Sequence, residues 1–280
     1  MADDNRYTVP GLERGLAILQ TFTRDTPERG APELATMFGL PRSTVFRLLQ
    51  TLESLGYLER SKDGRGYRLG VGVLRLGFEY LAAQGVVEHG RPLLARLRES
   101  TGFAAQLVVR DGRDIIYVAR VAPPTVFGGT VSVGTRLPAH ATVLGRVLLC
   151  DRTLAELREL YPEKRLERCT DQTPATADEL YALTSADHER GFAISNGFYE
   201  RTISTVAVPV YDGSDRIAAA VGLTISAQRI DTAQLRSGIV EETIETAAEL
   251  ARHLDYRGDA YQRALASAHA LYASPAAALP

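Results

Sequence analysis

The sequence predicts an α+β fold in two parts, and three observations lead to that prediction. Residues 31–58 contain two short amphipathic segments joined by a tight turn, a pattern typical of a helical hairpin. Residues 58–69 follow as two short strand-like runs around Asp63-Gly64, which indicates a β-hairpin. From about residue 104 the hydrophobic period becomes that of strands, with helical segments between and after them, so an antiparallel sheet flanked by helices is expected.

The helical hairpin has a polar face at the start of its second helix. Apolar residues recur there every three or four positions and predict a buried stripe made of Val45, Leu48, Leu49, Leu52 and Leu55. Gly39 makes the turn, and Pro41 suits a first helical turn. The polar residues off the stripe are Arg42, Ser43, Thr44, Arg47 and Gln50. A helix-turn-helix presents such a helix to the DNA major groove, whereas an ordinary helix pair would leave these residues in solvent.

A third helix and a wing complete the first part. Residues 11–23 predict an amphipathic helix whose Leu12, Leu16, Leu19 and Phe22 cover the hairpin, and residues 24–30 predict a turn-rich connection. Three helices followed by a β-hairpin make a winged helix. Its Lys62, Arg65 and Arg68 could contact phosphates or a minor groove, although a purely structural hairpin remains the alternative.

Positive charge is in excess in this first part of the chain. The 280 residues are enough for about two domains and carry a net charge of −2, which announces no nucleic-acid partner by itself. Residues 41–70, however, contain six basic residues against three acidic ones. The local positive excess lies where contacts to DNA phosphates would need it.

Several classes of protein are excluded by absent patterns. No run of 18 apolar residues predicts a membrane span, and the polar, acidic residues 1–11 are unlike a secretion signal, so a cytoplasmic protein is expected. The two cysteines have no C-x-x-C spacing, and the five histidines have no metal-ligand spacing. Nucleophile-elbow, P-loop, dinucleotide-binding and H-E-x-x-H motifs are missing. We therefore predict no enzyme, no metal site and no cofactor.

The second part begins after a predicted helix at residues 71–83, with the boundary placed near residues 82–86. Asp111-Gly112 indicates a second hairpin within residues 104–121. Further strands are predicted at residues 130–137, 192–195, 203–210 and 217–225, and helices at 151–161, 176–190 and 232–254. The Ala-rich residues 256–280 are expected to be disordered and without function.

A candidate pocket for a small acid can be proposed from polar residues in apolar surroundings, namely Arg136, His140, Thr142, Ser195, Thr205 and Thr224. Arg136 could bind a carboxylate through two hydrogen bonds, and the hydroxyls could bind a phenol or hydroxy acid. For two residues a structural role is an equal alternative: an ion pair for Arg136 and a loop hydrogen bond for His140.

Four stretches, in this order, resemble the IclR family of bacterial transcription regulators. They are LERGLAILQTF, LATMFGLPRSTVFRLLQTLESLGYLE with YRLG, TRLPAHATVLGRVLL, and TVAVPVYD followed by IAAAVGLTIS, and the resemblance covers about residues 9–255. Within that family the LPAHATVLGR and STVAVPV runs look most like the regulators of aromatic-acid catabolism, of the protocatechuate and 4-hydroxybenzoate type.

The resemblance implies a domain organisation and partners. It implies a winged helix-turn-helix DNA-binding domain at residues 9–70, a linker helix at 71–85 that helps dimerise, and a GAF-like effector-binding domain at 86–255. A homodimer or tetramer would bind double-stranded DNA at a palindromic operator, because paired recognition helices match such a site. A small organic acid would be the effector.

The resemblance also implies residues for the effector pocket. Val143 and Leu144 would line it from the HATVLGR segment, and Ser195, Thr205, Gly222 and Thr224 from the facing strands. The chain departs from the family pattern at Phe198, where an acidic residue is usual, and at Thr202, where glycine is usual. A more apolar and bulkier loop is expected there.

Together these patterns predict a DNA-binding transcriptional regulator whose operator binding or activity responds to a small organic acid, expected to be aromatic. The alternative is a small-molecule-binding or catalytic domain with a helical N-terminus that does not bind DNA. Deleting residues 1–82 distinguishes the two hypotheses. A regulator would lose DNA binding and keep ligand binding, whereas the alternative has no DNA binding to lose.

Overall fold

The chain folds into two compact units, residues 1–83 and residues 84–280, in a computed structural model. The structure describes residues 7–23, 25–83, 85–124, 131–226, 230 and 238–273. Among these residues no helix is long and apolar enough to cross a membrane.

The N-terminal unit contains four helices and a three-stranded antiparallel sheet in its described part. The helices are α1 (Pro10–Gln20), α2 (Ala31–Phe38), α3 (Arg42–Ser54) and α4 (Gly72–Ala83). The strands β1 (Glu28–Arg29), β2 (Leu58–Arg60) and β3 (Tyr67–Leu69) pair in the order β1-β3-β2. The short β1 lies within residues 24–30, for which the sequence predicted only a connection, because a two-residue strand leaves no periodic pattern.

The core of this unit confirms the hairpin and corrects the first helix. Val45, Leu49 and Leu52 of α3 are buried together with Leu34 of α2. In α1 the buried residues include Ile18, whereas Leu12 and Leu16, which were expected to cover the core, are at least half exposed; Leu55 is also exposed. The buried side of α1 is therefore rotated from the predicted one, and part of its apolar surface is left uncovered.

The C-terminal unit is built on one six-stranded antiparallel sheet of order β6-β5-β4-β9-β8-β7. Its strands are β4 (Ala104–Asp111), β5 (Asp114–Val121), β6 (Arg136–Pro138), β7 (Ala193–Asn196), β8 (Ser204–Tyr211) and β9 (Ile217–Ile225). Its described helices are α5 (Gly85–Thr101), α6 (Val143–Leu148), α7 (Leu154–Leu160), α8 (Ala177–Arg190), α9 (Ile239–His253) and α10 (Ala260–Ala273). The predicted start of α9, up to residue 237, lies outside the described residues.

The two faces of this sheet pack against different helices. Gly222 of β9 lies beneath Leu144 of α6, so its face is the α6 face. Gly90 of α5 lies against Leu107 of β4, and α5 and α9 cover this opposite face. Since side chains alternate along a strand, these contacts assign every paired residue to one face.

The predicted disordered tail is wrong for residues 260–273, which form α10. Tyr261, Ala264 and Ala268 of this helix are buried. The Tyr261 hydroxyl donates to the Pro209 carbonyl (3.0 Å) and accepts from the Tyr211 amide (3.2 Å), on the part of β8 that extends past β7. These contacts to distant residues hold an Ala-rich segment in place. They also cover a strand edge that would otherwise stay unpaired. Residues 274–280 lie outside the described residues.

Candidate functional site

The exposed face of α3 is the first candidate surface. Arg42, Ser43 and Arg47 point to solvent, while Thr44 is half-buried. The apolar side of α3 holds the helix against the core of the unit, which leaves its polar N-terminal half free to enter a groove. Within the described residues neither Arg42 nor Arg47 forms an ion pair, so both charges are available to a partner.

The wing, which is the hairpin of β2 and β3, adds further exposed basic residues. Its turn is held by a hydrogen bond from the Ser61 hydroxyl to Asp63 (2.6 Å), and the Asp63 carboxylate also accepts the Arg65 amide. These two hydrogen bonds lower the pKa of Asp63. Lys62 and Arg65 are exposed at the turn. Arg68 differs, because its Nε lies 2.7 Å from Glu59 Oε1 and its charge is already matched.

A row of hydroxyls crosses the α6 face of the large sheet. Ser195, Thr205 and Thr224 lie opposite one another on β7, β8 and β9. In the next row Gln106 of β4 lies opposite Gly222, and its side-chain amide donates to the Thr224 hydroxyl. The buried Gln106 therefore adds a fourth polar group beside this row.

Together with Arg110 farther along β4, Arg120 supplies positive charge on this face. It lies opposite Gln106 across the β4–β5 pair, so its side chain points to the same face. Arg120 is half-buried, and none of the carboxylates that the structure describes pairs with it. Burial raises the pKa of the neighbouring Tyr117 to about 12, and the charge of Arg120 opposes that shift. Such a guanidinium can form strong charge-assisted hydrogen bonds with a carboxylate.

The α6 helix forms the apolar side of the site. Thr142 caps its N-terminus by accepting the Gly145 amide (3.1 Å), and Val143 and Leu144 follow as buried residues. A Cβ on Gly222 would lie 2.6 Å from a Leu144 methyl carbon. Gly222 thus permits the close approach of α6 to the sheet and is covered by Leu144.

Two residues expected in the pocket make structural contacts. Arg136 is on the opposite face of the sheet, because it pairs with Ile116 beyond a register shift, and it forms ion pairs with Asp111 (2.9 Å) and Asp114 (3.0 Å). These ion pairs raise the pKa of Arg136. His140 is buried with its Nε2 2.9 Å from the Glu167 carbonyl. Both positions match the structural alternatives considered for these residues.

The segment between β7 and β8 holds the two departures from the family pattern. Phe198 is buried, with the guanidinium carbon of Arg146 4.8 Å above its ring centre. Its carbonyl accepts hydrogen bonds from Thr170 (2.8 Å) and Thr173 (3.0 Å). Thr202 is exposed and donates to Glu200. Only Phe198 adds apolar bulk inside the unit.

Among the described residues, no group of three His, Cys, Asp or Glu side chains is placed so that it could hold a metal ion. Cys150 is buried, and burial raises the pKa of its thiol, which disfavours the reactive thiolate. Cys169 is exposed.

Sequence reasoning missed Gln106 and Arg120. Both belong to strands that were correctly predicted, and both are polar residues between apolar neighbours. That pattern was a usable signal for both, whereas Arg136, which the register places on the other face, follows the polar Thr135.

Comparison with known proteins identifies both units. A family model described as the IclR helix-turn-helix domain matches residues 11–62, and one described as the bacterial transcriptional regulator IclR C-terminal domain matches residues 78–252.

Individual relatives agree with these matches. The Pca regulon regulatory protein of Pseudomonas putida is 30% identical over 87% of this chain and 83% of its own length. The crystal structure of RHA06195 from Rhodococcus sp. RHA1 is 31% identical, covers 88% of this chain and 98% of its own, and has a TM-score of 0.76. An IclR homologue of Microbacterium hydrocarbonoxydans, solved in complex with 4-hydroxybenzoate, shares the fold at 22% identity and a TM-score of 0.73, covering 87% of this chain and 98% of its own.

Proposed function

Because this chain belongs to the IclR family of bacterial transcriptional regulators, we propose that it changes its DNA binding or activity in response to a small aromatic carboxylic acid. The relatives are named as regulators, and the helix-turn-helix match sets aside the alternative of a catalytic or binding domain with an inert N-terminus. Since the target is bacterial DNA, the proposed working compartment is the cytoplasm.

DNA binding is assigned to α3 and the wing. Arg42, Ser43, Thr44 and Arg47 would contact the major groove, and Lys62 and Arg65 would contact the backbone or minor groove. Arg68 is a weaker candidate because Glu59 already neutralises it. The effector would act by favouring one arrangement of the two DNA-binding domains of a dimer over another.

The observation that carries the effector proposal is Arg120. Its unmatched charge lies one strand from Gln106 and two strands, or about 10 Å of backbone, from Thr224. A benzoate ring could place its carboxylate on Arg120 and a ring hydroxyl near Thr224, the first of the three hydroxyls, with Val143 and Leu144 as the apolar wall. The relative named for the Pca regulon and the homologue bound to 4-hydroxybenzoate support an aromatic acid.

Replacing Arg120 with glutamine tests this proposal. We expect the affinity for 4-hydroxybenzoate or 3,4-dihydroxybenzoate to fall by about 10- to 100-fold, because a charged hydrogen bond contributes about 1.5–3 kcal/mol. Isothermal titration calorimetry on the full-length chain measures it.

The matched control is Arg136→Gln, on the opposite face of the same sheet, which should leave that affinity unchanged. Equal losses in the two variants, or a wild-type protein that binds neither benzoate, would contradict the proposed effector site.

We further propose that a homodimer, alone or within a tetramer, presents two copies of α3 to a palindromic operator. α4 leaves Leu74 and Phe78 more than half exposed, as is Val71 just before it, and α1 leaves Leu12 and Leu16 uncovered. Exposed apolar surface of this kind marks a protein interface.

The double variant Leu74→Glu, Phe78→Glu is expected to halve the molar mass measured by light scattering after size-exclusion chromatography. Charges in an apolar interface lose hydration without gaining partners. Arg75→Glu, on the same helix, serves as the control and should keep the wild-type mass. A double variant with unchanged mass would remove α4 from the interface.

A further inference from the structure

Phe46 is an exposed aromatic residue on the face of α3 that carries the unpaired arginines. Its relative exposure is 46%, whereas the preceding residue, Val45, is fully buried. Phe46 follows Arg42 by one turn and precedes Arg47. Single apolar side chains are common on protein surfaces, so it is the position of Phe46 among the polar residues of α3 that bears on its role.

The position of Phe46 limits what that partner can be. It is the fifth residue of α3, in the N-terminal half that contacts base edges in a helix-turn-helix. The surrounding side chains, Arg42, Ser43, Arg47 and Gln50, are donors or cations, which complement DNA. In the major groove the only apolar group on a base edge is the 5-methyl of thymine, and phenylalanine is one of the residues that contact it.

We propose that Phe46 reads a thymine in each half of the operator through its 5-methyl group. The inference rests on the DNA-binding role of α3. The flanking arginines would set the register of the helix on the duplex, and Phe46 would add discrimination at one base pair. Removing solvent from one methyl group and the ring that faces it predicts a loss of about four-fold in affinity when the methyl is absent.

The test uses the full-length protein and an operator selected from random-sequence DNA. Each thymine of that operator is replaced in turn by deoxyuridine, which lacks only the methyl group, and binding is measured by fluorescence anisotropy at one salt concentration. For the wild-type protein, we expect one replacement per half-site to weaken binding by about four-fold. For Phe46→Ala the same replacement should have no effect, although overall affinity is lower.

Two matched variants separate this role from others. Met37→Ala removes a similarly exposed apolar residue from α2 and should keep the wild-type deoxyuridine profile. Arg47→Ala should weaken binding to all the duplexes while preserving the sensitive position. Circular dichroism checks that each variant is folded, which is expected because none of the three side chains is buried.

The proposal is overturned if Phe46→Ala and the wild type respond alike to deoxyuridine, or if no thymine is sensitive in the wild type. A changed oligomeric mass in Phe46→Ala with an unchanged profile would also overturn it and would assign Phe46 to a protein contact. A wild-type protein that selects no DNA sequence would instead count against DNA recognition by α3, so the two failures are distinguishable.

Discussion

Replacing Asp187 with asparagine is expected to lower the free energy of unfolding by about 3–5 kcal/mol. Asp187 is fully buried in α8 and accepts two hydrogen bonds from Arg146 of α6, both 2.8 Å long, and one from Arg190 (2.6 Å). Burial lowers the pKa of Arg146, and the Asp187 carboxylate opposes that shift. Without the carboxylate, a buried guanidinium would remain with no counter-charge, which is far more costly than losing an exposed pair.

Equilibrium urea unfolding followed by far-ultraviolet circular dichroism measures this effect. The control is Asp178→Asn, also in α8, whose pair with Arg158 is 59% exposed on each side and contributes at most about 1 kcal/mol. Similar losses in the two variants would mean that the buried network does not hold α6 to α8. Since α6 also carries Val143 and Leu144, a weakened network should reduce effector affinity as well.

Gly145→Ala is the second change for which we expect a large loss, about 3 kcal/mol or more of unfolding free energy. A Cβ on Gly145 would lie 2.1 Å from the Ala139 carbonyl oxygen and 2.4 Å from the Ala139 Cα. These are main-chain atoms, and Ala139 is itself held to the turn between β4 and β5 by a 2.8 Å hydrogen bond from its amide to the Arg113 carbonyl. Neither side can yield without moving α6 away from the preceding turn.

Gly77→Ala in α4 provides the opposite expectation. A Cβ on Gly77 meets no atom within 4 Å, so alanine should stabilise that helix by about 0.5–1 kcal/mol through its higher helix propensity. Thermal and urea unfolding of both variants give the comparison. A Gly145→Ala protein as stable as the wild type would show that α6 can shift at little cost, and the tight packing on Gly222 would then not constrain the pocket.

Much of the fold could be predicted because its signals are local. The strand at residues 217–225 and the hairpin around Asp111-Gly112 follow from β-branched runs and turn residues, and the structure agrees. The apolar stripe of α3 follows from the helical period. The tail could not be predicted in this way, since α10 is ordered by contacts of Tyr261 with residues some fifty positions earlier in the chain.

The ligand site was only partly predictable for a related reason. Ser195, Thr205 and Thr224, which were expected on facing strands, lie opposite one another, but the choice between Arg120 and Arg136 depends on the face of the sheet. That face is set by the register of β4 against β5, which shifts between Leu107 and Val108. A shift of one residue reverses the face to which the following side chains point, and no local pattern records it.

The sequence by itself determined the α+β class, the helix-turn-helix with its wing and the family, because periodicity, turn residues and motif order are properties of contiguous residues. Only the tertiary structure decided which charges are free. It matched Arg68, Arg136 and Arg146 with carboxylates and left Arg42, Arg47 and Arg120 unmatched among the described residues. Ion pairing depends on distances of a few ångströms between residues far apart in the chain, so no local pattern in the sequence could separate the matched cations from these three.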